Sequence, residues 1–68
     1  MEGDDIAHAV AHPLAVDDLG KDPDRWLVIG ADRAGNLLEI VVLVTGTGDE
    51  IVIHAMHMRP KYRKLLDL

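Results

Sequence analysis

The stretch His54-Ala55-Met56-His57-Met58-Arg59-Pro60-Lys61-Tyr62 gathers most of the side chains in this sequence that could do chemistry. Imidazoles exchange protons near neutral pH, Arg and Lys hold phosphate oxygens, and a phenol serves as a weak acid or as a surface on which a base stacks. Arg63 and Lys64 extend the cationic run. Residues three apart on a regular strand point to opposite faces, so His54 and His57 share a site only if the chain bends between them. His54 with Arg59 is therefore the favoured pair. The competing reading of the same residues is a surface histidine followed by a solvated basic helix.

The charge distribution sharpens this picture. Residues 1 to 24 hold seven acids against Lys21, net −6; residues 25 to 53 hold four acids against Arg25 and Arg33, net −2; residues 54 to 68 hold four bases against Asp67, net +3. The total of −5 argues against a general nucleic-acid coat, but a local basic end can engage phosphates or an acidic protein. At 68 residues the chain is a single domain, 1–68, with 49% apolar residues, no Phe and only Trp26 and Tyr62 as aromatics. Aliphatic side chains must fill its core. A chain of this length buries only roughly 60% of its unfolded surface and commonly recruits a disulfide, a metal or a partner. With no Cys, disulfides are excluded. The missing thiols fit a reducing compartment, and no signal peptide or apolar run of about 18 residues is visible, so the expectation is a cytoplasmic protein without a membrane segment.

The elements that must position the site follow from periodicity. Asp4 or Asp5 is expected to cap a short helix through Ile6, Ala7, Ala9, Val10 and Ala11, which Pro13 ends. Leu14 to Val16 reads as a brief extended piece, and Asp17 to Asp24 as a turn-rich loop without regular structure. Arg25 to Ile29 reads as a strand closed by Gly30, with Asp32, Gly35 and Asn36 forming a turn. Leu37 to Thr45 is the strongest strand. Leu38, Ile40, Val42 and Val44 share one of its faces, and Leu37, Val41 and Leu43 share the other with Glu39. Both faces are largely apolar, so such a strand belongs mid-sheet, and one short helix does not cover both sides; a partner surface is expected. Glu50 to Met58 returns as a strand with Ile51, Ile53 and Ala55 alternating with Val52, His54 and Met56. From Pro60, the residues Tyr62, Leu65, Leu66 and Leu68 give an apolar stripe on a basic helix. The fold class is α+β: a short N-terminal helix, an antiparallel sheet of three strands or four, and a short C-terminal helix.

Other motifs are weaker. His8 and His12 lie four apart, a spacing at which two imidazoles can grip zinc with His54 as a third ligand, but no HExxH accompanies them and a polar helix face is the preferred reading. No metal or cofactor is assigned. Gly46-Thr47-Gly48 precedes a strand and lacks a Walker lysine, so it is a hairpin turn. Asp17, Asp18, Asp22 and Asp24 lack the central Gly and terminal Glu of a calcium loop.

The stretch Asp22 to Ile53 carries a family likeness, especially in Arg25-Trp26-Leu27-Val28-Ile29-Gly30 and in Gly35-Asn36-Leu37-Leu38-Glu39-Ile40-Val41-Val42. It resembles the BrnT-like toxins of bacterial toxin–antitoxin pairs, within the broad RelE-type ribonuclease superfamily. The resemblance implies a RelE/BrnT-like α+β module that cuts or binds RNA and is neutralised by a protein antitoxin. The family tends to carry Ser-Ala-Arg at the end of the third strand where this chain has His54-Ala55-Met56, so Met56 stands in place of the arginine. RNA cleavage through the 2′-hydroxyl needs a base, an acid and cations around the phosphate. Metal-independent cleavage is therefore assigned to His54, Arg59 and Tyr62 as catalytic residues, with His57, Lys61, Arg63 and Lys64 binding RNA. The expected partners are an antitoxin, RNA, and further copies or other subunits in a homo- or hetero-oligomer. The alternative function is a non-catalytic protein-interaction module acting as a homodimer.

Overall fold

The computed structural model describes residues 2 to 66. Helix α1 spans Gly3–Ala11, followed by strands β1 (Pro13–Gly20), β2 (Asp24–Ala31), β3 (Leu37–Val44) and β4 (Glu50–His57) and by a 3-10 helix, η1 (Pro60–Leu65). The strands form one open antiparallel sheet in the order β1-β2-β3-β4. This is the expected α+β class, with the four-stranded form of the expected sheet. Leu68, assigned to the last apolar stripe, lies outside the described residues.

The fourth strand corrects the loop expected from Asp17 to Asp24. Asp17 and Asp18 pair with Leu27 and Trp26, and only Lys21 to Pro23 form the turn. Their low strand propensity is overridden because β1 is an edge strand, where acidic side chains meet water while the backbone on one side still pairs with β2. A second correction concerns the start of α1. Its N-cap is Glu2, with no side-chain cap bond, and Asp4 and Asp5 sit inside the first turn. There their charges still complement the helix dipole.

The two faces of the sheet are unequal. Val28, Leu38, Ile40 and Val42 pack with Ala9 of α1 into a buried cluster, flanked by Ile6, Val10 and Ala55. Gly30, expected to close its strand, instead lies within β2 and lets the helix settle. A Cβ there would come within 2.3 Å of the Ala9 carbonyl oxygen, so only glycine allows this approach. His8 Nδ1 and the Ala31 carbonyl oxygen, 3.0 Å apart, clip the helix to the end of β2, and Asp5 pairs with Arg33 at 3.0 Å. The opposite face carries Leu27 and Ile29, 2% and 0% exposed, beside Val41 and Glu39.

Strand β4 departs from simple alternation. Val41 pairs with His54 and Val42 with Val52, so Ile53 is an extra residue in a β-bulge. One inserted residue inverts the side-chain sequence beyond it. Val52 and Ala55 consequently share the α1 face, whereas Ile51, His54 and Met56 share the Glu39 face. The expected grouping of Ile51 and Ile53 with Ala55, and of Val52 with His54, does not hold across the bulge.

Candidate functional site

The site is built around a carboxylate. Glu39 sits mid-strand in β3, between Ile29 on β2 and Met56 on β4, and is completely buried. A carboxylate cannot stay ionised there without donors. His54, two residue pairs along the ladder and so on the same face, places Nε2 3.1 Å from Glu39 Oε1. After β4 the chain makes one more sheet bond, Met58 N–H to the Leu37 carbonyl at 2.9 Å. It then turns across the Glu39 face. Arg59 donates its backbone N–H to Oε2 at 3.0 Å, Nε to Oε1 at 3.0 Å and Nη2 to Oε1 at 2.7 Å.

Local sequence explains why Arg59 can do this. As the residue before Pro60 it is held extended, at φ −80° and ψ 149°, which presents its amide to the strand, and Pro60 opens η1 without needing an amide partner. Tyr62 then folds under the cations, its ring centre 5.6 Å from Arg59 Cζ and 5.0 Å from Lys61 Nζ. Arg59 is thus held between a carboxylate and a phenol ring, both attractive to a guanidinium.

Burial pushes the Glu39 carboxyl up, but the hydrogen bonds from Arg59, side chain and backbone, and from His54 outweigh it and bring the group down to about 2. Glu39 is therefore an anion at neutral pH. It can only accept, so the shared proton sits on His54 Nε2. Nδ1 of the half-exposed His54 ring has no hydrogen-bond partner among the described residues, and the side chain is 39% exposed. The arrangement can orient one imidazole, hold it beside a cation and stabilise the imidazolium if Nδ1 takes a proton.

Of the residues assigned from sequence, His54, Arg59, Lys61 and Tyr62 come together here. Arg63 and Lys64 are exposed on η1. His57 does not join them. It pairs with Leu38 and so lies on the α1 side, because the bulge falls before His54 and regular alternation carries His57 to the other face. It lies near Asp32, whose carboxyl is held low mainly by the Asn36 backbone amide and slightly by His57. The possible zinc set also separates. The rings of His8 on α1 and His12 at its C-cap lie tilted by 33° with centres 4.7 Å apart, and His54 lies on the face that α1 does not touch. Among the described residues no group of three His, Cys, Asp or Glu is placed to hold a metal.

Glu39 is the residue that sequence reasoning passed over. A lone acid within Leu-Leu-Glu-Ile-Val-Val-Leu-Val is the available signal, since an acid at an interior position implies a donor set elsewhere. Comparison of the chain with protein-family models, with curated proteins and with solved structures finds no match in any of the three. Among the described residues no helix is long and apolar enough to cross a membrane.

Proposed function

We propose that this chain binds and cuts RNA without a metal, as the toxin-like member of a cytoplasmic toxin–antitoxin pair silenced by a protein antitoxin. The observation that carries the reading is the Glu39–His54–Arg59 cluster. A buried carboxylate there fixes one nitrogen of a half-exposed imidazole and leaves the other unpartnered, directly before a run of cations. In the cleavage step His54 Nδ1 removes the 2′-hydroxyl proton. The 2′-oxygen then bonds to phosphorus as the bond to the 5′-oxygen breaks, and the leaving oxygen takes a proton from Tyr62. The products are a 2′,3′-cyclic phosphate and a 5′-hydroxyl. Glu39 stabilises the imidazolium, as carboxylates do behind catalytic histidines, while Lys61 and the outer edge of Arg59 offset charge on the phosphate. Arg63 and Lys64 guide the backbone.

Incubating micromolar protein with single-stranded and ribosome-bound RNA, and mapping the ends formed, tests this. Cyclic-phosphate ends are expected, and His54→Ala should slow their formation by about 10²-fold or more. Intact RNA in both substrates, with unchanged growth on expression of wild type and His54→Ala alike, ends the nuclease reading. A second reading, the non-catalytic homodimer, is favoured by one feature: Ile51, Val52 and Ile53 on edge strand β4 are 46%, 44% and 52% exposed. Three consecutive exposed aliphatics on a free edge suit strand pairing between copies.

A further inference from the structure

Helix α1 covers only part of its face of the sheet. Beyond it, Val10, Pro13, Val16, Trp26, Val28 and Val42 contribute to a hollow of about 270 Å³ that reaches Val44 and Glu50. A second hollow of about 400 Å³ runs along the helix between Ile6, Ala7 and Val10 and the strand residues Val42, Glu50 and Val52. The two share Val10, Val42 and Glu50, so they form one apolar groove. Its open end is acidic. Asp24 and Glu50 both pair with Val44, and Asp18 pairs with Trp26, which puts these acids on the groove's side of the sheet. One oxygen of Asp24, Oδ1, is buried without a hydrogen-bond partner. No lysine or arginine occupies a strand position on this face, since Arg25 pairs with Leu43 on the other.

From this juxtaposition we infer that the groove docks an amphipathic, basic helix of a protein partner, with aliphatic anchors over Trp26 and Val42 and Lys or Arg side chains against Asp24 and Glu50. An apolar trough of this kind is the usual seat of an amphipathic helix, and its acidic end selects the sign of the helix's polar residues. A second copy of the chain fits poorly. A two-fold contact through this face would set the same acids against one another, and the chain's own cationic segment is tied to Glu39 on the opposite face through Arg59. The groove lies away from His54, so the inference stands apart from the RNA reading and can succeed or fail separately.

Trp26, the only tryptophan, lines the groove and reports on it directly. The probe is a 14-residue peptide of Leu and Lys in helical spacing, titrated into the full chain and compared with a scrambled Leu/Lys peptide and with a Leu/Glu peptide in the same spacing. The expected result is a saturable blue shift of Trp26 emission, with at least tenfold weaker binding of both control peptides. Glu50→Lys and Val52→Asp, both at exposed positions and checked for folding by circular dichroism, should each weaken binding at least tenfold. Equal binding of patterned and scrambled peptides, equal binding of the Leu/Glu peptide, or an unresponsive Trp26 overturns the inference. So does a wild-type dimer in sedimentation that Ala7→Asp, on the helix side of the groove and away from the β4 edge, dissociates, which would make a second copy the occupant.

Discussion

Replacing Glu39 by Gln tests whether the buried carboxylate holds the C-terminal segment onto the sheet. In the folded chain its carboxyl lies at about 2, against an ordinary value of 4.5. Each pKa unit corresponds to about 1.36 kcal/mol, so the ionised carboxyl, with the burial penalty already set against what its donors supply, contributes about 3 kcal/mol net. The Arg59 side chain is 44% exposed and water screens part of the pair, which trims the expected contribution to about 2 kcal/mol. Against the roughly 3–10 kcal/mol that a chain of this length commands, that is a large share. Because the folded-state value is depressed, the contribution is complete above pH 4.5 and disappears as pH falls through about 2. In Glu39→Gln the side chain does not titrate, and its amide group meets the Arg59 donors. Urea unfolding followed by Trp26 fluorescence should therefore separate the two proteins by about 2 kcal/mol at pH 7, with the gap closing towards pH 2. Asp5 and Asp32, whose carboxyls are also held low, titrate in both proteins and cancel in the difference. A gap that stays constant between pH 5 and pH 2 would refute the assignment of Glu39 as the ionised centre of the cluster.

Three further outcomes follow from the packing. Arg59→Lys keeps the charge but cannot reproduce the side-on guanidinium contact; it should destabilise the chain by about 1 kcal/mol in urea titration and make His54 exchange more freely in imidazole proton spectra, whereas an unaltered stability would show that the fork geometry is idle. Gly30→Ala forces α1 off the sheet at the Ala9 carbonyl and should lose about 1–3 kcal/mol, and unchanged thermal unfolding would mean that the helix rides higher than described. Ile53→Lys places a charge on the bulged edge of β4 and should abolish any concentration-dependent dimer in sedimentation while leaving circular dichroism unchanged, as edge lysines block strand pairing.

How far the sequence could be read depended on whether a feature was local. Leu37 to Val44 was legible as a central strand because its alternation and β-branched content are written into consecutive residues, and the hairpin at Thr45–Asp49 because glycine there supplies a left-handed turn, with Gly48 at φ 87°. That His54 and Arg59 meet was also within reach, since only four residues lie between them and Pro60 follows directly to hold Arg59 extended. Leu14 to Val16 was legible as extended, but the Asp17–Gly20 part of β1 was not, because that edge is held by pairing with β2 rather than by its own aspartates. The separation of His57 needed only alternation, but the face that His54 occupies relative to Val52 depended on the bulge at Ile53, which no local residue signals.

By itself the sequence determined the extended segments from Arg25 onward, the hairpin turns between them and that its cations gather at one end, because these follow from nearest-neighbour sterics and from residue order. Tertiary structure alone decided that Glu39 is the centre. Whether a carboxylate on an aliphatic strand is exposed, neutral or ionised depends on donors arriving from fifteen and twenty residues away. Their arrival depends on the register of β3 against β4 and on the turn that Pro60 imposes.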